Sequence, residues 1–202
     1  SQLSMALPGL LKPNFDQLNI ALKLLEKSLL EDKQILIVGD FDADGATASA
    51  VAIKALRLMG AKHVDFLVPN RFKHGYGLSP EIVNEAKRDK EPDLIITVDN
   101  GISSNEGAEL ARSLDIDVII TDHHLPPNEL PNANAIINPN LRGCDFPSKN
   151  LAGVGVCFYL FSSLKTYLTK QGYFEKNNIQ NPDLRTLLDL VALGTVADVV
   201  KL

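Results

Sequence analysis

Four short apolar runs, each followed by a stretch with helical periodicity, limit what this chain can fold into. Residues 34–38, 63–68, 93–98 and 116–121 are short and almost continuously apolar, as strands buried on both faces are. Between them lie helical patterns: residues 14–30 ahead of the first run, residues 45–59 ended by Gly60, a start at Ser79-Pro80, and a start at Ser103-x-x-Glu106 that resembles a capping box. Residues 135–137 read as a fifth strand. Strand and helix alternating through short links predict an α/β fold, a parallel sheet with helices on both faces. After Asn138-Pro139-Asn140 the pattern changes to two helices, 151–167 and 184–193, with no strand between them.

The acids follow the strands. The first run leads into Asp40-Phe41-Asp42-Ala43-Asp44-Gly45, the third into Asp99-Asn100-Gly101, and the fourth into Asp122-His123-His124. In an open parallel sheet these turns share one edge, at the carboxyl ends of the strands, where such folds bind ligands. Carboxylates brought that close repel one another, and divalent cations remove the conflict. Mn²⁺ or Mg²⁺ suits carboxylate and water ligands, and a histidine ligand admits Mn²⁺. Each piece alone has a plainer reading: an aspartate after a strand is often a helix cap, and a polar loop accommodates two histidines. Asp40-x-Asp42-x-Asp44-Gly45 also matches the opening of an EF-hand loop, but a strand precedes it and Val51 stands where that loop needs a bidentate Glu. Three acid clusters after three strands make a metal centre the better reading of the set. The helix expected to begin near Ala46 would aim its N-terminus at the same place.

A net charge of −5, from 25 acids against 20 bases, argues against a general nucleic-acid binder. Two divalent cations in the acid cluster would offset four of those charges locally, so the global charge weakens a nucleic-acid reading without excluding it. The two cysteines, Cys144 and Cys157, have no metal-ligand spacing, and Cys157 lies in an apolar run that reads as core. No apolar run reaches spanning length and no signal peptide is legible, so a cytoplasmic location is expected.

The motifs resemble those of the DHH phosphoesterase family. Asp122-His123-His124 matches the motif that names it, residues 38–45 its first motif, residues 98–101 its second, and Leu193-Gly194-Thr195-Val196-Ala197-Asp198 its fourth. Residues 69–72, 75–80, 137–140 and 151–156 are similar to the branch of the family that degrades single-stranded DNA. The resemblance implies two Mn²⁺ or Mg²⁺ ions, one held by Asp44, Asp99, His123 and Asp198, the other by Asp42 and Asp99 with Asp40 nearby. It implies that Asp122 orients His123 and that His124 contacts the phosphate. Family members often carry a His four residues before the second Asp of the first motif; here that residue is Val38, which leaves the second ion to Asp40 or water. The implied activity is 5′→3′ exonuclease cleavage of single-stranded DNA in repair and recombination. The implied partners are a single-strand-binding protein and a helicase, with no membrane, for a monomeric enzyme.

Substrate contacts are expected from Arg71, Lys73, His74 and Tyr76, a loop that mixes cations and aromatics as single-strand grooves do. A solvated loop with Phe72 packed inward is the alternative. Arg142 is a further candidate, with plain surface charge as its alternative. Gly153 and Gly155 could offer N–H groups to phosphate, or serve close helix packing. Residues 1–30 read as an N-terminal extension and helix. Residues 31–202 read as the catalytic domain, with a substrate-closing domain and an oligonucleotide-binding module expected outside this chain. A phosphodiesterase or pyrophosphatase of the same family, acting on small substrates, would share the metal ligands. A non-enzymatic scaffold would have lost them. A dehalogenase-like phosphatase would leave Asp99 and Asp122-His123-His124 unexplained.

Overall fold

The computed structural model describes residues 15–70, 75–144 and 148–198. In chain order they form α1 (Phe15–Leu30), β1 (Ile35–Gly39), α2 (Ala43–Leu58), β2 (Val64–Leu67), α3 (Pro80–Asp89), β3 (Leu94–Val98), α4 (Asn105–Ser113), β4 (Asp117–Thr121) and β5 (Ala135–Ile137). Then follow α5 (Gly153–Lys170), a short α6 (Tyr173–Lys176), a 3₁₀ turn (Leu184–Leu187) and α7 (Leu188–Ala197). The five strands pair in parallel in the order β2-β1-β3-β4-β5. The strand order reverses between β1 and β3, and such a reversal opens a crevice at the carboxyl ends of the two strands.

Alternation along each strand divides the core in two. Ile35, Ile37, Leu94, Ile96, Val98 and Ile119 face α1, α2, α5 and α6. Leu36, Val38, Ile95, Val118 and Ile120 face α3 and α4. The expected sheet with helices on both faces is therefore present. Leu18, Ala21, Leu22, Leu25 and Leu29 of α1 are buried in the first of these clusters, so the N-terminal helix shares the core of the strands that follow it.

Two helix starts differ from expectation. α2 begins at Ala43 instead of near Ala46, because the Asp42 carboxylate accepts the Gly45 N–H at 2.8 Å and caps the helix. Asp44 thereby lies on the first helical turn instead of in a loop. The capping box expected at Ser103 and Glu106 does not form: α4 starts one residue later, at the N-cap Ser104, whose hydroxyl takes the Leu78 N–H at 3.0 Å instead. Ser79 does cap α3, with Pro80 at the first helical position. Among the described residues no helix is long and apolar enough to cross a membrane.

Candidate metal centre

The three acidic turns meet over the crevice between β1 and β3. Ligand atoms of Asp40, Asp42 and Asp99 lie within 4.8 Å of one another, as do those of Asp44, His123 and Asp198, and those of Asp99, His123 and His124. Asp198 reaches this group from the far end of the chain, as the C-cap of α7. Asp99 is held at φ +62, a left-handed conformation uncommon outside glycine, and Gly101, two residues on, is at φ +105. The strained turn stops β3 abruptly and aims the Asp99 side chain across the crevice.

Asp44 is buried, and its two oxygens accept the Gly153 N–H at 2.7 Å and the Val154 N–H at 2.8 Å. Gly153 is one of the glycines expected to offer an N–H to a substrate phosphate; that N–H is taken by Asp44. A Cβ on Gly153 would collide with Asp99 Oδ1, so the missing side chain makes room for that carboxylate. The Gly155 N–H goes to Ala152 O, and a Cβ there would sit 3.2 Å from Leu151, so close packing accounts for this glycine rather than phosphate contact.

The His123 ring lies among three carboxylates: Nε2 is 3.1 Å from Asp99 and 3.9 Å from Asp44, and Nδ1 is 3.8 Å from Asp198. Burial pushes the Asp99 carboxyl up to about 7, helped by Asp44 and Asp42, against the pull of His123. Burial opposes a charge on His123, but Asp99, Asp198 and Asp44 together raise its imidazole to about 9. Burial also raises Asp44 and Asp40 above the usual carboxylate range. In the absence of a cation, then, a proton on His123 offsets part of the negative charge.

Asp122 does not orient His123 through the ring, as expected from the resemblance. Its Oδ1 lies 2.7 Å from His124 Nδ1 and also accepts the backbone N–H groups of His123 and His124, while Oδ2 accepts the Ile102 N–H. Burial would raise Asp122, yet these bonds hold it below its ordinary value. The same contact raises the His124 imidazole. With Nδ1 turned to Asp122, His124 faces an open cleft of about 610 Å³ lined also by Asp40, Phe41, Asp42, Tyr76 and residues 101–104. Tyr76 is edge-on to His124 at 6.1 Å between ring centres.

Val38 is fully buried in the core facing α3 and α4 and offers no ligand atom. Asp40, two residues on, stands in the carboxylate group instead. Arg142 is exposed and does not line the cleft. Arg71, Lys73 and His74 lie outside the described residues. Sequence reasoning passed over Phe41 and residues 101–104 as cleft lining, because nothing in their pattern sets them apart from ordinary turn residues.

The family model described as "DHH family, N-terminal domain" matches residues 34–195, which include every acidic turn described above. This chain belongs to the DHH family. Over 182 residues it is 60% identical to the single-stranded-DNA-specific exonuclease RecJ of Escherichia coli (strain K12), covering 90% of this chain and 31% of that protein. The chain thus spans about a third of the length of this curated relative. Two solved structures share the DHH fold closely. One is exonuclease RecJ bound to manganese, with a TM-score of 0.73 and 35% identity over 94% of this chain and 44% of the other. The other is RecJ of Thermus thermophilus in complex with Mn²⁺, with a TM-score of 0.72 and 31% identity over 95% of this chain and 25% of the other.

Proposed function

We propose that this chain carries the metal-binding part of a single-stranded-DNA exonuclease that uses two Mn²⁺ or Mg²⁺ ions to hydrolyse phosphodiester bonds from the 5′ end. The observation that carries this reading is Asp99. Its Oδ1 is buried and takes no well-directed hydrogen bond; its near polar neighbour is the His123 ring, with Nε2 3.1 Å away. A buried carboxylate oxygen without a directed donor is costly. A cation beside it would remove that cost, and the surrounding donor set, carboxylates with one or two imidazoles, suits Mn²⁺.

Asp44, Asp99, His123 and Asp198 would hold one ion; Asp40, Asp42 and Asp99 would hold the other. When bound, the ions supply Lewis acidity to the phosphoryl oxygens and lower the pKa of water. The chain's own residues do the rest. His123 would have to be unprotonated to serve as a ligand. His124, fixed by Asp122, presents Nε2 to the cleft as a donor to the phosphoryl group. Tyr76 and Phe41 bring aromatic surface to the cleft wall, which suits the bases of a single strand. Identity with a single-stranded-DNA-specific exonuclease supports the substrate. The 5′→3′ direction, a cytoplasmic monomer and work in DNA repair beside a single-strand-binding protein and a helicase are further parts of the same proposal.

The test compares 5′-labelled and 3′-labelled single-stranded DNA, pyrophosphate and a cyclic dinucleotide as substrates of the whole protein with Mn²⁺. Mononucleotide release from the 5′ end is expected. Preference for pyrophosphate or the cyclic dinucleotide would overturn the substrate assignment, and no Mn²⁺ heat in calorimetry would overturn the metal centre.

A further inference from the structure

Asn138-Pro139-Asn140 follows β5, and the function proposed above leaves it without a role. Asn138 Nδ2 donates to His124 O at 2.9 Å, and Asn140 Nδ2 donates to His123 O at 2.6 Å. Two side-chain amides from one turn therefore hold two successive carbonyls, those of the paired histidines. The turn is itself braced. Asn140 N–H donates to Asn138 Oδ1 at 2.8 Å, Pro139 fixes the φ between them, and Lys149 Nζ donates to the Pro139 and Cys144 carbonyls. Asn138 is only 3% exposed.

The histidine segment needs such a brace because it follows β4 as irregular backbone. Its N–H groups both go to Asp122 Oδ1. Its carbonyls go to the two asparagines. With both sides of the peptides fixed, φ and ψ have little freedom, and the directions of the two rings are set. The rings lie 4.5 Å apart at 60°. One ring sits among the buried carboxylates and the other lines the cleft. Each of the two carbonyls, and through it each ring, has its own asparagine.

We infer that Asn138 and Asn140 are positioning residues for the two histidines, Asn140 setting His123 for the metal and Asn138 setting His124 for the phosphoryl group. The metal and phosphoryl roles rest on the function proposed above; the positioning itself rests on the hydrogen bonds. Asn138→Asp is the sharpest probe. It keeps the acceptor that the Asn140 N–H uses, keeps the shape, and loses only the donor to His124 O. Asn140→Asp does the same for His123 O. Alanine at each position controls for the added charge.

Four readouts in the full-length protein separate positioning from general loosening: thermal unfolding, Mn²⁺ affinity, kcat and KM on single-stranded DNA, and histidine C2-proton exchange by mass spectrometry in metal-free protein. Outer partners of metal ligands typically change affinity or activity by about 10–100-fold. The Asn140 variants should weaken Mn²⁺ binding by about that factor and alter the exchange half-life of His123. Asn138→Asp should lower kcat by about 10–100-fold, with Mn²⁺ affinity and KM within about threefold, and alter the exchange of His124; Asn138→Ala, which also removes the acceptor for the Asn140 N–H, should show the same loss of kcat with some loss of Mn²⁺ affinity. Equal losses at both positions that follow the fall in melting temperature would overturn the inference, as would unchanged exchange of both histidines. Because the exchange is read without metal, it decides the positioning even if the unaltered protein gives no Mn²⁺ heat, a result that would count against the metal centre alone.

Discussion

Asp42 and Asp44 lie two residues apart on one turn, yet they belong to carboxylate groups built in different ways. Asp44 is buried, and amides of a second helix, α5, hold both its oxygens. Its neighbours His123 and Asp198 are half-buried, and Asp198 is fixed at the end of a third helix. Asp42 is exposed, and its carboxylate is used at home, capping α2 through Gly45. With Asp40 it lines the open cleft. The inner group is braced by amides of the fold, whereas the outer group has water on one side and shares an Asp42 oxygen with the helix cap. On the two-ion reading proposed above, the difference predicts a tight first ion and a weaker second one, with Asp99, 3.1 Å from His123, bridging them.

The largest expected effect breaks the comparison at its shared member. Asp99→Ala should abolish both Mn²⁺ heats and lower hydrolysis by more than about 10³-fold, because it removes the one ligand common to the two ions. Survival of the tight heat would show that Asp99 does not bridge. Next, His124→Ala should reduce turnover by about 10²–10³-fold, the usual cost of a lost oxyanion donor, with Mn²⁺ affinity almost unchanged. Calorimetry beside single-turnover kinetics reads both, and a matching loss of metal binding would make His124 a ligand.

The comparison itself is sharpened by Asp198→Asn and Asp42→Asn. The first should weaken the tight ion by at least about tenfold and the second only the weak one, as expected for ligands of separate sites. Two variants that weaken both ions alike would merge the groups.

A smaller effect is expected from pH. His123, raised to about 9 from 6.5, stabilises the metal-free fold fully below pH 6.5, and this contribution is lost as pH rises through 9. Asp99, raised to about 7 by burial, burdens the fold increasingly as pH rises from 3.8 to 7. Both make the metal-free protein less stable toward alkaline pH. Mn²⁺ must displace the His123 proton, so its affinity should rise by up to about tenfold per pH unit below pH 9. Calorimetry in buffers of different ionisation heat counts the released protons, and a flat affinity between about pH 7 and 8.5 would contradict the assignment. Smallest of all, Gly155→Ala should change stability by no more than about 1 kcal/mol, since a better helix former offsets a tight contact with the movable Leu151 side chain. Chemical denaturation measures it.

The fold was legible because strands buried on both faces must be continuously apolar, and residues 35–39, 94–98 and 117–121 are almost so. The convergence of Asp40, Asp44, Asp99 and His123 followed from parallel strands having all their carboxyl ends on one edge. What resisted reading were hydrogen bonds that depend on side-chain direction. Asp122 is adjacent to both histidines in sequence, and no pattern says which ring it meets. A glycine at the start of a helix suggests an open N–H, and only the approach of Asp44 from α2 reveals that the N–H of Gly153 is already taken. Val38, by contrast, was legible: an apolar residue there offers no ligand atom, and Asp40, just past the end of β1 at Gly39, stands in the carboxylate group.

The bond between Gln17 and β5 has a consequence for how this molecule behaves in company. Gln17 Oε1 in α1 accepts the Ile136 N–H at 2.9 Å. β5 is the last strand of the sheet, so that N–H is one a strand from another molecule could otherwise pair with. One glutamine thus acts as a stopper on an adhesive border. The opposite border is guarded differently: β2 is four residues long and carries Asp65, tied to Lys90 at 2.6 Å. Trimming α1 away would strip the stopper and bare the core that Leu18, Leu22 and Leu25 cover in the same stroke, turning a self-contained sheet into a template for aggregation.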